Sequence, residues 1–150
     1  MITQVFVYGT LQRNQCRGNL WPREPLHIHW GYVRGRLYDL GDYPALRSDD
    51  EDLDSDWIQG EIWTFDPADI EETLQELDII EETNQPGLPN LYDRCLVRAF
   101  GSLAATDSVL AWAYQYSNAS ALTSAQRVKS GRQGYAAWPS TESGDRNSIR

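Results

Sequence analysis

A short apolar run that ends in a glycine turn constrains the fold of this chain more than any other feature. Residues 5–7 are β-branched or aromatic, which is typical of a buried strand. The run ends at Tyr8 and Gly9 and continues into Thr10 and Leu11 rather than into an ordinary hairpin. Glycine adopts dihedrals that other residues avoid and lets a ligand approach the main chain. Exposed N–H groups here could bind a carboxylate or an oxyanion, although the four residues alone favour a structural turn.

Length and composition indicate one globular domain. The chain has 150 residues, and aromatic side chains make up 11% of it, which excludes a disordered protein. No apolar run approaches the roughly 18 residues that a membrane-spanning helix requires. The N-terminus lacks the basic region of a signal peptide. We therefore expect a soluble, cytoplasmic protein that does not enter a membrane.

The charge of the chain argues against a nucleic-acid partner. The formal net charge is -9, whereas nucleic-acid phosphates require a basic surface. Six of the acidic residues lie within residues 49–56. A cation-binding loop is one interpretation, but the segment lacks the glycine and the final glutamate of an EF-hand loop. A solvated loop between two strands is the favoured interpretation.

The cysteines and histidines do not predict a metal site or a thiol enzyme. Cys16 and Cys95 fit no metal-ligand spacing. A nucleophilic Cys16 would need a base, and the two histidines of the chain, His27 and His29, alternate within a predicted strand. A surface or packing role is favoured for them, so we expect no metal ligands.

The chain reads mostly as strands, with no internal repeat and no interdomain linker. Turn residues fill segments 39–44 and 83–90, and the polar segment 139–150 is expected to be a flexible tail. Alternating apolar residues predict five strands: 4–8, 30–37, 58–65, 92–100 and 109–116.

One helix is predicted, from Pro67 to about Ile80. Asp66 can serve as its N-cap, and proline suits the first helical position. The spacing i, i+4, i+7 predicts a buried stripe made of Ile70, Leu74 and Leu77.

Glu81 continues the buried stripe of this helix. At about 100° per residue, eleven steps bring it to within roughly 20° of Ile70, while Glu82 points about 100° further round. A carboxylate on an inward face is costly unless it is paired or used, and burial should raise its pKa toward that of a base active near neutrality. If the helix instead ends before Glu81, the side chain faces water, and periodicity alone leaves both alternatives open.

Two short motifs stand out, Tyr-Gly-Thr-Leu at 8–11 and Leu-Asp-Ile-Ile-Glu at 77–81. Together they resemble the gamma-glutamylcyclotransferase-like superfamily, in particular its gamma-glutamylaminecyclotransferase and avirulence-induced members. The resemblance covers roughly residues 1–138 in the expected order. Further matching segments lie at 35–46, 60–63, 91–94, 112–114 and 130–132.

The resemblance implies an α+β fold, a small mixed β-barrel flanked by helices, as one domain over 1–138. It implies a cyclotransferase that needs no cofactor and releases 5-oxoproline and a free amine from a gamma-glutamyl amine or amide. Glu81 matches the general base, and the 8–11 turn, with Tyr43 and Tyr92, matches the substrate-binding segment.

Three questions stay open at this point. Glu82 stands where some relatives have a glycine or a small residue, and a second carboxylate could raise the pKa of Glu81 or repel an acidic substrate. The chain could instead be a non-catalytic relative that binds a small acidic ligand or a protein partner. Asp78 and Glu81 could form a hydrolase pair, although a structural role is favoured for Asp78. The leaving amine and the oligomeric state do not follow from the sequence.

Overall fold

The computed structural model describes residues 1–48 and 54–139 of the chain. The described residues form seven strands, one α-helix and two single-turn 3-10 helices, at Ala119–Ala121 and Ser124–Gln126. The strands and the helix are, in chain order: β1 (Gln4–Val7), β2 (His27–Asp39), β3 (Pro44–Ser48), β4 (Asp56–Thr64), α1 (Ile70–Ile80), β5 (Tyr92–Phe100), β6 (Ser108–Tyr116) and β7 (Arg127–Val128).

Five of the strands close into a barrel. The hydrogen-bonded order is β2-β4-β1-β6-β5, and β5 pairs back onto β2 through Phe100 and Tyr32. Strand β1 is parallel to β6, whereas the other neighbours in the barrel are antiparallel. The predicted fold class, an α+β protein built on a small mixed β-barrel, is confirmed.

Strand β2 is longer than the sequence predicted because it has successive partners. Its first part pairs with β4 from His27 to Gly35, and its last part pairs with β3 from Gly35 to Asp39. The sequence indicated only turn residues at 39–44, and β3 was not predicted, since a five-residue strand that begins with a proline gives too few residues to show alternation. The β2–β3 hairpin places Tyr43 at the tip beside β3.

The apolar side chains form two cores on opposite faces of β1. Phe6 lies in the barrel interior, packed in one cluster with Ile62, Ala111 and Ala113 from β4 and β6. Val5 and Val7 belong to a second cluster, which is covered by helix α1. The predicted stripe faces this second cluster, and all of its members are buried: Ile70, Leu74 and Leu77.

The helix starts three residues later than predicted. Asp69, not Asp66, is the N-cap, and Asp66 instead closes a turn by accepting the Ala68 N–H at 2.9 Å. Pro67 therefore lies in the turn before the helix. An Asp-Pro pair suits such a turn as well as a helix start, which is why the sequence did not separate the two.

The end of the described chain closes one end of the barrel. Ala136 donates its N–H to the Trp57 carbonyl at 2.8 Å and accepts from Gln59 N at 2.8 Å. The Trp138 indole N–H donates to Asp39 Oδ1 at 3.0 Å, and the Trp138 main-chain carbonyl accepts from Gln12 Nε2 at 3.1 Å. Residues up to 138 are therefore part of the fold, whereas the predicted tail 139–150, apart from Pro139, lies outside the described residues.

These contacts predict where the chain can be cut. Removal of residues 140–150 should change Tm by no more than a degree or two. Removal of residues 134–150 deletes the Ala136 and Trp138 contacts and should lower Tm by about 5 °C or more, at roughly 2–4 °C per kcal/mol for a chain of this size. Thermal unfolding by circular dichroism compares the two truncations, and a large loss from the shorter cut would show that the tail packs on the barrel.

Candidate active site

A cavity of about 190 Å³ opens beside the end of β1 and the C-terminal end of α1. All seven residues predicted from the sequence line it: Tyr8, Gly9, Thr10, Leu11, Tyr43, Glu81 and Tyr92. The structure thus places the predicted base and the predicted binding turn around one space. Seven further residues complete the lining: Phe6, Val7, Arg17, Pro44, Glu82, Leu91 and Tyr114.

The turn after β1 lines this cavity and carries main-chain donors without a partner in the described protein. Gln12 donates its N–H to the Gly9 carbonyl at 3.0 Å, which places Thr10 and Leu11 in the middle of a β-turn. Within the described ranges, the N–H groups of Gly9, Thr10 and Leu11 have no acceptor in the protein. Three successive N–H groups of this kind can bind an anion.

Gly9 is required for space rather than for its dihedrals. Positive φ angles occur at Gly41, Gly87 and Gly134 but not at Gly9, so the dihedral argument made from the sequence is wrong. A Cβ atom at Gly9 would lie 2.6 Å from Pro44 Cγ and 2.7 Å from Pro44 Cδ. The neighbour that leaves no room for a side chain at position 9 is therefore Pro44, which itself lines the cavity.

A buried carboxylate holds the segment that follows the turn. Glu61 on β4 is 3% exposed, and its Oε1 accepts the Arg13 N–H at 2.9 Å and the Trp63 indole N–H at 3.1 Å. The Arg13 Nε atom lies 3.3 Å from Glu61 Oε2. Because the donors and the cation compensate the buried charge, Glu61 fixes the position of the turn.

Glu81 follows directly after the last residue of helix α1. The helix ends at Ile80, as in the alternative in which Glu81 faces water. The Glu81 side chain nevertheless lines the cavity, as in the alternative in which it faces inward. Thr83 N bonds to Asp78 O at 2.8 Å and Glu82 N to Ile79 O at 3.2 Å, the pattern of a Schellman motif.

Glu82 occupies the left-handed position of this motif. Its φ is 54°, a conformation that glycine adopts without strain. The glycine or small residue that the family resemblance implies for some relatives at this point would suit this backbone. The side chain of Glu82 is exposed at the rim of the cavity.

The protein environment favours the protonated form of Glu81. Burial raises the pKa of its carboxyl from 4.5 to about 7, the Arg17 guanidinium opposes the rise, and the Glu82 carboxylate adds to it. A carboxyl with this pKa exchanges protons near neutral pH, as a general acid–base requires.

Two of the predicted binding tyrosines use their hydroxyl groups within the protein. Tyr8 Oη donates to the Tyr114 carbonyl at 2.6 Å, and Tyr92 Oη donates to the Pro44 carbonyl at 2.6 Å. Burial raises the pKa of both phenols. Their rings therefore form walls of the cavity, whereas the Tyr43 hydroxyl has no hydrogen-bond partner in the protein across 1–48 and 54–139.

Asp78 is a structural residue and does not line the cavity. Its Oδ1 accepts the Tyr114 hydroxyl at 2.6 Å and lies 3.4 Å from Arg94 Nε. Burial, together with this hydrogen bond to Asp78, raises the pKa of the Tyr114 phenol. The arrangement agrees with the structural role favoured for Asp78 and gives no support to a two-carboxylate hydrolase.

The other reactive side chains lie outside the cavity lining. Cys16 is exposed, and burial raises the pKa of the Cys95 thiol, which disfavours the nucleophilic thiolate. His27 and His29 lie at the exposed start of β2. In the part of the chain that the structure describes, no three His, Cys, Asp or Glu side chains are grouped to hold a metal ion.

The acidic segment 49–56 falls mostly outside the described residues. Of its members, Asp54 and Asp56 are described, and both bind Arg127, with oxygen–nitrogen distances of 3.1 and 3.2 Å. This part of the segment thus has a structural partner.

None of the helices in the described ranges is long and apolar enough to span a membrane.

Arg17 is the most important lining residue that the sequence analysis missed. It follows Leu11 by six residues in a segment of turns, where no periodicity indicates which side chains point inward. Tyr114 and Leu91 lie in the segments 112–114 and 91–94, which resemble the family. That resemblance was the only indication in the sequence that they lie near the site. Pro44 was interpreted as a turn residue inside the segment 35–46, which resembles the family.

Comparison with known proteins identifies the family. The family model described as gamma-glutamyl cyclotransferase, AIG2-like, matches residues 5–138. No curated protein matches the chain.

The solved structures that share the fold include the following two. The first is YkqA from Bacillus subtilis, with 22% identity and a TM-score of 0.54, over 77% of this chain and 36% of that chain. The chain thus spans about a third of YkqA. The second is an AIG2-like protein from Mus musculus, with 22% identity and a TM-score of 0.53, over 92% of this chain and 96% of that one. With the family model matched over residues 5–138, this chain belongs to the AIG2-like gamma-glutamyl cyclotransferase family.

Proposed function

We propose that this protein is a gamma-glutamyl cyclotransferase that uses Glu81 as general base. Family membership supports a cyclotransferase-like function. The observation that carries the more specific proposal is the placement of the Glu81 carboxylate and the turn N–H groups around one cavity. The substrate would be a gamma-glutamyl amine or amide, and the products would be 5-oxoproline and a free amine.

In the proposed reaction the substrate supplies both the nucleophile and the electrophile. Glu81 takes a proton from the glutamyl α-ammonium group, and the freed amine attacks the γ-carbonyl carbon. The new C–N bond closes a five-membered ring, and the bond to the leaving amine breaks as Glu81 passes the first proton to that nitrogen. The ring nitrogen then gives up its second proton, which also ends on the leaving amine, so the products are 5-oxoproline, whose ring nitrogen is neutral, and an ammonium ion. The balance requires no water and no cofactor.

The cavity supports each step of this reaction with a particular feature. The N–H groups of residues 9–11 can bind the glutamyl carboxylate or stabilise the negative charge on the γ-carbonyl oxygen. The rings of Tyr8 and Tyr92 can hold the glutamyl chain folded, so that the amine meets its own carbonyl. The Tyr43 hydroxyl is available to hydrogen-bond the substrate.

A panel of gamma-glutamyl compounds tests the proposal directly. The purified protein is incubated with gamma-glutamyl amino acids, gamma-glutamyl-ε-lysine, gamma-glutamyl amides and glutathione, and 5-oxoproline is measured. Release of 5-oxoproline supports cyclotransfer, whereas release of glutamate would indicate hydrolysis. Binding without either product would favour the non-catalytic alternative.

The pKa of Glu81 predicts the pH dependence of this activity. The base acts only when deprotonated, so kcat/KM should rise with pH and level off above about 7. Because the Glu82 charge raises the pKa of Glu81, Glu82→Gln should move the midpoint to lower pH. Glu71→Gln, an exposed change at the other end of α1, is the charge-matched control. An unchanged midpoint in Glu82→Gln, or a plateau already reached at pH 5, would contradict the assignment.

Three further expectations from the sequence stay predictions. These are the cytoplasmic location, the independence from cofactors and a domain boundary near residue 138. Localisation by fluorescence microscopy, activity after dialysis against a chelator, and the truncations described above test them in turn.

A further inference from the structure

Arg17 gives the cavity a second group that can bind an anion, besides the turn N–H groups. Among the described residues, it is the one Lys or Arg whose side chain lines the cavity. Its own N–H bonds to the Thr10 carbonyl at 2.8 Å, so its backbone is held against the binding turn. Any movement of the guanidinium must therefore come from the side chain.

The guanidinium of Arg17 has unused hydrogen-bonding capacity. One of its five donors reaches the Ile80 carbonyl at 3.4 Å, a long contact at the end of α1. No carboxylate oxygen of Glu81 or Glu82 lies within 4.0 Å of it in the described part of the molecule. A partly buried guanidinium with spare donors suits a ligand carboxylate, which it can bind through two parallel hydrogen bonds.

We propose that Arg17 binds a carboxylate carried by the leaving amine, so that the preferred substrates are gamma-glutamyl conjugates of amino acids rather than of neutral amines. This inference rests on the proposed function. The N–H groups of residues 9–11 already offer a site for the glutamyl half. The rim also carries Glu82, whose charge would disfavour an anionic leaving group if Arg17 did not offset it.

Two matched substrates test the preference. Gamma-glutamyl-β-alanine and gamma-glutamyl-β-alaninamide have the same length and differ only in a carboxylate against a carboxamide. The wild-type protein should favour the carboxylate by about tenfold or more in kcat/KM, the range expected for a charged hydrogen bond. Arg17→Met should remove most of this ratio, and Arg17→Lys should keep part of it. Lys129→Met is the charge-matched control outside the cavity.

The ratio between the two substrates is the decisive measurement because a change in the protonation of Glu81 affects both compounds equally. Equal losses for both in Arg17→Met would mean that Arg17 binds the glutamyl carboxylate, and the proposal would be overturned. No preference in the wild type would overturn it as well.

A binding experiment separates this inference from the proposed function. Calorimetric titration measures the Kd of both compounds in Glu81→Gln and in Glu81→Gln/Arg17→Met, where no turnover is needed. One outcome is that the wild-type protein releases 5-oxoproline from no compound while the Kd ratio in the Glu81→Gln variants depends on Arg17. In that case the carboxylate site stands and the cyclotransferase assignment fails. If the Kd ratio is the same in both variants, the carboxylate site is wrong.

Discussion

Glu81→Gln is expected to lower kcat by about 10²- to 10⁴-fold, the usual contribution of a general acid–base. Glutamine has nearly the same shape as glutamate but cannot take a proton from the substrate ammonium. Ligand binding should be largely kept, because the turn N–H groups and the tyrosine rings are unchanged. Initial rates of 5-oxoproline release, with Kd from calorimetry, measure the two effects separately.

The same substitution should raise the stability of the protein. The pKa of Glu81 is about 7 in the folded protein, above the 4.5 of the unfolded chain. Between these two pH values the folded state retains a proton that the unfolded state loses. The stability that protonated Glu81 contributes is full below pH 4.5 and is lost as the pH rises to about 7. Glu81→Gln removes this loss, so its advantage in the free energy of unfolding, measured by chemical denaturation, should grow between pH 4.5 and 7 and then level off at about 3 kcal/mol.

Glu82→Gln is the matched control for the loss of rate. It removes the neighbouring carboxylate but leaves the proposed base in place, so its rate at saturating pH should change little. A near-normal rate in Glu81→Gln would assign the base to another residue. A comparable loss in Glu82→Gln would move the assignment by one position.

Five of the seven predicted residues that line the cavity belong to two short local signals, and Tyr43 and Tyr92 came from the resemblance. The 8–11 turn and the helical stripe that leads to Glu81 each specify their own geometry, and the family resemblance placed them together. Periodicity did not reveal the helix end, because the Schellman motif at Glu82 uses a non-glycine residue in the left-handed conformation. No composition signal marks such a position.

The residues that escaped prediction are those whose role depends on contacts across the fold. Arg17 faces the cavity because its backbone bonds to Thr10 and its side chain crosses to the end of α1. Glu61 is 48 residues from Arg13 in sequence, and only the pairing of β4 with β1 brings the two together. Pro44 acts on Gly9 in the same way, through a hairpin that the sequence showed only as a turn.

Gly9→Val is the second substitution with a large expected effect. Its Cβ would lie well inside the contact distance of the Pro44 ring, so either the turn or β3 must move. The Pro44 carbonyl accepts a hydrogen bond from the Tyr92 hydroxyl, and both residues line the cavity. A shift of either the turn or β3 therefore distorts the site. We expect specific activity to fall by about 10²-fold, as for a misplacement near 1 Å, and stability to fall by about 1–3 kcal/mol.

A rescue experiment identifies the cause of that loss. Pro44→Ala removes the two ring carbons that a side chain at position 9 would meet. If crowding against Pro44 displaces the turn donors, Gly9→Ala should lose activity, and Gly9→Ala/Pro44→Ala should recover most of it relative to Pro44→Ala alone. Activity is expressed per folded molecule, with folding checked by circular dichroism. Normal specific activity in well-folded Gly9→Val would show that the turn does not contact the substrate, and it would weaken the cyclotransferase proposal, because that proposal depends on these N–H groups.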